Sequence, residues 1–359
     1  MRTKRFFKWI ALLGFGLSLG FYARPQAARE DDAFVLGQIT VSPGEAGSGF
    51  LEVRDKDGGG TSIPVTVIHG ARKGKTLALV AGVHGYEYPP VLALYRIKEM
   101  IDPKDLSGTV VIVHIANLLS FQKRTIYYNP VDWKNLNRVF PGSPDGTLSQ
   151  RIAYRLTEDV IKKCDYLVDL HCGDGNEALI PYAYWMISGR RELDDVTKRM
   201  ALAFGLRHII IDETRSKDIT DSKYLGNTAI LLGKPAITTE SGCLGRTDEE
   251  SIRRNVDGGL NLLRHFGMIS GPPLPIPEPV WIDRYEVVYS QTDGLFFPQT
   301  EMGYHVSKGQ VVGYTTDYLG RRQEELRAPF SGIILYIINT PPTSRGEPLF
   351  EVGRIRSED

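Results

Sequence analysis

The stretch Thr76-Leu-Ala-Leu-Val-Ala-Gly-Val-His84-Gly-Tyr-Glu87, with the helical pattern Pro90–Met100 behind it, decides the fold. Its apolar run is short and unbroken, and predicts a buried strand ending at Ala81. Gly82 and Gly85 then make a turn that presents an imidazole and a carboxylate three residues apart. In an open α/β sheet, sites form in the loops beyond the carboxyl ends of strands. Imidazole nitrogen and carboxylate oxygen together suit Zn²⁺, which takes three protein ligands in a catalytic site and keeps a fourth position open. Taken alone, such a pair is more often an exposed loop histidine and a solvated glutamate.

The same alternation continues outward. Thr109–Ile115, Tyr166–Leu170, His208–Ile211 and Pro235–Thr239 read as strands. Thr147–Lys163 and Arg190–Phe204 carry helical periodicity, and Thr247-Asp-Glu-Glu250 reads as a capping box opening a helix to about Phe266. Strands alternating with helices predict an α/β fold with a doubly wound, mostly parallel (mixed) sheet over residues 31–270. Residues 271–280 contain five prolines and read as an extended linker. Beyond it, over 281–359, helix signals vanish. Short strand candidates separated by Gly and Pro turns predict a small all-β, barrel-like module: Glu286–Tyr289, Gly294–Phe297, Gln310–Tyr314, Gly332–Ile338 and Leu349–Val352.

Composition narrows the function classes. The chain has 359 residues, 42% hydrophobic and 24% charged, which excludes a disordered chain, a collagen and a multi-span membrane protein. Lys+Arg and Asp+Glu are both 43, so no polyanion-binding surface is required and nucleic acid is a poor first partner. The basic residues are unevenly placed. Residues 1–30 hold six of them against one acidic residue, followed in the rest of the chain by 37 basic against 42 acidic. Trp9–Ala23 is uncharged and mostly apolar over 15 residues, shorter than the roughly 20 that span a bilayer. Basic flank and short apolar run read as a signal peptide, with Ser18-Leu19-Gly20 as a small-x-small cleavage site, or as an uncleaved N-terminal anchor. Either way the expectation is a periplasmic or secreted protein, touching a membrane only through that segment. Cys164, Cys172 and Cys243 are too few for a disulfide scaffold, and buried thiols are the expectation. A Cys172–Cys243 bridge is the alternative, because each follows a candidate site residue closely.

Two further strand ends supply what a catalytic metal needs. Tyr166-Leu-Val-Asp169-Leu-His171 ends in a histidine before the Gly-rich loop Cys172-Gly-Asp-Gly. His171 can be the third ligand, and Asp169 can accept the second ring N–H of a ligand histidine and fix its tautomer. Ala236-Ile-Thr-Thr-Glu240 ends in a carboxylate. Glu240 can take a proton from the attacking water and return it to the leaving amine. Asn137 and Arg138, in Asn135-Leu-Asn137-Arg138, can clamp a substrate carboxylate, and Arg124 can polarise the scissile carbonyl. Each of these segments alone reads as ordinary surface or strand-end polarity; together they converge on one chemistry. His69, His114 and His208 sit in or beside strand patterns and read as satisfied core or edge groups, while His265 ends a helix and His305 lies in the β module.

The set His84-Gly-Tyr-Glu87, Asn137-Arg138, Asp169-Leu-His171 and Glu240 resembles the aspartoacylase/succinylglutamate desuccinylase family of the zinc carboxypeptidase-like clan, over roughly residues 60–267. The resemblance implies one Zn²⁺ per chain held by His84, Glu87 and His171, Glu240 as general base and acid, and Asn137 with Arg138 on a substrate carboxylate. Arg124 lies 13 residues before Asn137, farther than in the shortest family members. Arg327-Ala-Pro-Phe-Ser-Gly332 and Gly346-Glu-Pro-Leu349 are similar to a biotinyl/lipoyl-type fold. No lysine follows Lys308, so a carrier role is excluded there and the module is expected to shape or cover the site entrance. The expectation is an exported zinc-dependent hydrolase of an amide bond, acting on an N-acyl amino acid or a similar carboxylate-bearing substrate. A carboxypeptidase-like enzyme acting on peptides or cell-wall fragments, and a non-catalytic binding protein, are the alternatives.

Overall fold

The computed structural model describes residues 32–357, so the signal-like segment lies outside the described residues. In chain order the elements are β1 (Phe34–Leu36), β2 (Ile39–Val41), β3 (Glu45–Arg54), β4 (Gly60–His69), β5 (Arg72–Val80), α1 (Tyr88–Met100), β6 (Ser107–Val113), α2 (Leu118–Lys123), α3 (Leu148–Leu156), β7 (Tyr166–His171), β8 (Glu177–Leu179), β9 (Tyr182–Met186), α4 (Arg191–Phe204), β10 (His208–Asp212), α5 (Leu225–Leu231), β11 (Ala236–Glu240) and α6 (Glu249–His265). Then come β12 (Val280–Tyr289), β13 (Gly294–Pro298), β14 (His305–Val306), β15 (Val311–Thr316), β16 (Arg322–Arg327), β17 (Gly332–Ile338), β18 (Pro342–Thr343) and β19 (Pro348–Ile355).

Strand β5 shows why the layers form. Side chains alternate across a strand, so Leu77 and Leu79 enter one core while Ala78 and Val80 enter the other. All four are fully buried, and each large one contributes about 1.5–3 kcal/mol by leaving water. A strand apolar on both faces must be covered on both. Leu94 and Ile97 of α1, Phe204 of α4 and Leu260 of α6 cover one face. Ile152 and Leu156 of α3 and Leu225 and Ile230 of α5 cover the other.

The strands form one large sheet in the order β14-β17-β19-β12-β10-β9-β11-β7-β5-β6-β4-β3, with β8 paired to β17. The sheet is mixed, as expected. Parallel pairing is confined to β5–β6, β5–β7, β7–β11, β9–β10 and β10–β12. The β3–β4 hairpin, β4–β6, β9–β11 and the C-terminal strands pair antiparallel.

The C-terminal module is all-β, but its strands do not close into a free-standing barrel. β12 starts where the Pro-rich stretch ends and pairs in parallel with β10, and β19 and β17 continue the large sheet from there. β16-β15-β13-β18 form a separate antiparallel sheet. The physical reason is the edge of β10, whose buried backbone groups need a partner that β12 supplies. Helix positions follow the sequence expectation to within a residue or two, except that Thr147–Lys163 ends in a π-helical turn at Thr157–Ile161. The cap of α6 is Asp248, whose side chain accepts from Ser251 N–H at 2.9 Å, one residue later than the expected capping box.

Candidate metal centre

Three strands end at one rim of the sheet. β7 lies between β5 and β11, with Val80 opposite Asp169 and His171 opposite Glu240. Beyond β5 the chain turns at Gly82, whose φ of 68° suits glycine. Gly85 allows a close approach: a Cβ there would stand 2.4 Å from the Thr125 carbonyl oxygen and 2.5 Å from that of Ser120. Glu87 occupies the position that caps α1, yet its side chain makes no capping bond, and prolines fill the first helical turn. Its carboxylate is free to turn toward the two histidines, still within reach of the positive end of the helix dipole.

His84 Nδ1 lies 2.7 Å from Glu87 Oε1, and His171 Nδ1 lies 3.0 Å from the same oxygen. One donor atom from each of His84, Glu87 and His171 falls within a 4.8 Å cluster, and all three side chains are nearly buried. Glu87 Oε2 is buried with no hydrogen-bond partner. Burial alone would raise the Glu87 carboxyl, but His171 and His84 hold it at about 2. Against burial, Glu87 raises the pKa of His84, and Asp169 with Glu87 raises that of His171. The cluster thus favours a positive charge at its centre. Two imidazole nitrogens and a carboxylate with a spare oxygen are a donor set that fits a zinc ion.

The outer ring nitrogens are also held. Asn135 Oδ1 lies 3.1 Å from His84 Nε2, a contact sequence reasoning did not assign. Asp169 Oδ1 lies 3.0 Å from His171 Nε2, although off the hydrogen-bond direction, so both Asp169 oxygens remain without a hydrogen bond. Asn137 Nδ2 lies 3.2 Å from His171 Nε2, and its Oδ1 accepts the Leu225 N–H at 2.8 Å. The amide of Asn137 thus reaches the histidine and the start of α5, and its second N–H makes no hydrogen bond among the described residues.

Glu240 makes no hydrogen bond or ion pair among the described residues, and burial pushes its carboxyl well above the usual range against the pull of His171. Arg138 donates to the Asn137 carbonyl at 2.8 Å and lies 4.7 Å from the Tyr224 ring centre. Arg215, absent from the sequence reading, lies 4.0 Å from the same ring centre and is ion-paired with Asp212. Arg124 is not drawn into the cluster by any contact. It ends α2 in the left-handed region, φ 54° and ψ 55°, with its side chain exposed.

Three residues further on, Tyr127 also has a positive φ, 59°. Its ring packs edge-on against His84 at 6.0 Å, its N–H donates to Asp174 Oδ2 at 2.8 Å, and its hydroxyl donates to Glu177 Oε1 at 2.9 Å. Burial lifts Asp174 to about 7, with His84 opposing. The Cys172-Gly-Asp-Gly loop is thus the clamp that holds Tyr127 over His84, a role its glycines hinted at and its sequence did not state. Cys164, Cys172 and Cys243 are buried free thiols, so no Cys172–Cys243 bridge forms.

Known proteins resemble this chain over most of its length. The family model described as the succinylglutamate desuccinylase/aspartoacylase catalytic domain matches residues 73–266. An N-alpha-acetyl-L-2,4-diaminobutyric acid deacetylase of Halomonas elongata is 32% identical over 286 residues, covering 77% of this chain and 81% of the relative. The product-bound ectoine utilization protein EutE (DoeB) of Ruegeria pomeroyi superposes with a TM-score of 0.79 at 26% identity, over 91% of this chain and 100% of that one. A succinylglutamate desuccinylase of Silicibacter sp. TM1040 gives a TM-score of 0.78 at 26% identity, over 93% and 100% of the two chains. With the catalytic-domain model matching more than half its length, this chain belongs to the succinylglutamate desuccinylase/aspartoacylase family.

Proposed function

We propose that this protein is a zinc-dependent hydrolase that removes the acyl group from an N-acyl amino acid. One observation carries the reading. Glu240, a carboxylate without a partner, stands opposite His171 on the rim where His84, Glu87 and His171 converge. Those three residues would hold the ion through His84 Nδ1, Glu87 and His171 Nδ1. A bound zinc would supply the Lewis acidity that polarises an acyl carbonyl and acidifies a water.

The chain's own residues do the rest. Glu240 takes a proton from the attacking water and delivers it to the departing amine, work that its raised pKa suits. Asn135 holds the outer nitrogen of His84, and the Asp169 carboxylate stands 3.0 Å from that of His171 as a counter-charge, which leaves the inner nitrogens for the ion. Arg138, exposed beside the site, anchors the substrate carboxylate bidentately. Arg124 has an uncommitted guanidinium on the segment that leads into Tyr127, and is our choice for the donor to the acyl oxygen. The signal-like segment 1–30 puts the reaction in the periplasm or outside the cell; the intact mass of exported protein tests that, and a retained Met1 removes cleavage.

The test of the reading is a metal and substrate panel. Purified protein should hold one zinc per chain and lose activity to a chelator. It should hydrolyse N-acetylated amino acids faster than dipeptides of the same length, and Arg124→Ala should lower kcat about 100-fold with zinc content unchanged. Hydrolysis of dipeptides alone would favour the carboxypeptidase-like alternative. Full turnover without metal would remove the reading.

A further inference from the structure

Burying a carboxylate without a partner is costly, so each such group in the fold needs an account. Asp212 has Arg215, Thr214 and Tyr285. Glu177 has Tyr127 and the Asp174 N–H. Asp194 has Ser188 and Gly189. Glu351, on β19 in the C-terminal module, is 2% exposed and has no hydrogen bond or ion pair among the described residues.

Strand register places Glu351 on the face of the sheet that carries the metal centre. Cross-strand partners share a face, and so do residues two apart on one strand. Gly353, two residues beyond Glu351, pairs with Tyr285, whose hydroxyl reaches Asp212 Oδ1 at 3.0 Å. Asp212 lies two residues from Ile210, the partner of Tyr184. Tyr184 and Tyr182 pair with Thr238 and Glu240, and Glu240 pairs with His171. The two phenols link the two carboxylates. Burial pushes both up, and the negative charges of Glu240 and Glu351 add to it at each. The phenol hydroxyls of Tyr182, Tyr184 and Tyr336 make no hydrogen bond among the described residues; the charge of Glu351 adds to burial in pushing all three up, and none of them donates to it. Arg215, whose charge acts on Glu351, is committed to Asp212 and to the Tyr224 ring.

We propose that Glu351 is the recognition residue for a primary ammonium on the substrate's side chain, so that the preferred substrate is an N-acylated diamino acid. This rests on the reading of the site as a deacylase and deepens it. An ammonium has three donors and no acceptor, which complements a carboxylate flanked by phenol oxygens. Burial lifts the Glu351 carboxyl to about 8 against the pull of Arg215; a bound cation restores the charged form. The Halomonas elongata relative is an N-alpha-acetyl-L-2,4-diaminobutyric acid deacetylase, and that compound has this chemistry. Its α-carboxylate would fall to Arg138, leaving the side-chain ammonium for Glu351.

The experiment compares Nα-acetyl-2,4-diaminobutyrate with the neutral Nα-acetyl-2-aminobutyrate and the anionic Nα-acetylaspartate on zinc-loaded enzyme. The unmodified protein should favour the cationic substrate about 100-fold in kcat/KM. In Glu351→Gln the ratio of cationic to neutral should fall about 100-fold, with zinc content unchanged and partial return in Glu351→Asp. Calorimetry of free 2,4-diaminobutyrate against 2-aminobutyrate on the unmodified protein gives a readout independent of turnover and of the variants' folding. Equal use of the cationic and neutral substrates, an unchanged ratio in a folded Glu351→Gln, or equal binding of the two free amino acids overturns the proposal. Loss of all N-acyl hydrolysis in the unmodified protein, with 2,4-diaminobutyrate still bound through Glu351, removes the deacylase reading and leaves the ammonium site standing.

Discussion

Glu240 on β11 stands directly opposite His171 on β7 in a parallel ladder, so an unpartnered carboxylate and a candidate metal ligand point from the same face of adjacent strands. Glu240→Gln keeps the shape and removes the base. We expect kcat to fall about 10²–10⁴-fold while zinc content stays at the level of the unmodified protein. Steady-state kinetics beside metal analysis checks this; undiminished turnover would falsify the role of Glu240.

Asn135 orients His84 from its outer nitrogen at 3.1 Å and also accepts the Asn137 N–H at 2.8 Å. Asn135→Ala should weaken zinc binding by about 10–100-fold, measured by competition with a chromogenic chelator. His171→Ala should abolish stoichiometric zinc. An Asn135→Ala protein that matches the unmodified one in the competition would show that the contact does nothing for the metal.

Gly85 passes too close to the Thr125 and Ser120 carbonyls for any side chain. Gly85→Ala should destabilise the fold by about 1–3 kcal/mol and displace His84 next to it, so denaturation midpoint and zinc affinity should fall together. A loss of stability with metal affinity intact would separate the loop from the site.

His114 is a buried neutral imidazole whose Nε2 lies 2.9 Å from Thr66 Oγ1, and whose ring stacks on Tyr95 at 4.7 Å. Burial, helped by Lys98, pushes its pKa from the usual 6.5 down to about 4. The unfolded chain binds a proton there that the folded one refuses, so its contribution to stability is whole above pH 6.5 and is lost as the pH falls through about 4. Urea midpoints across that window should drop, and the drop should be shallower in His114→Gln. Parallel curves for the two proteins would assign the acid sensitivity to other groups.

The amino-acid sequence alone determined the α/β alternation, the rim residues and the all-β character of the C-terminal stretch. Local patterns carry these: apolar runs of strand length, glycines where a loop must turn, and His, Glu and Asp placed where β5, β7 and β11 stop. Hairpin β3–β4 and strands β8 and β9 escaped; of these, β3 is a long, mostly exposed edge strand and β8 only three residues long, so their periodicity is weak.

Tertiary structure decided which distant residues share the site. Nothing near Asn135 in the chain says that it reaches His84, and nothing near Asn137 says that its amide reaches His171 and Leu225. The same holds for Arg215 beside Tyr224, and for Glu351, brought to the face of Glu240 only because β12 adds to β10 and carries β19 with it. Periodicity is written in neighbours along the chain. Pairing register across a sheet depends on which edges are left open to be covered, and that is settled only when the whole sheet assembles.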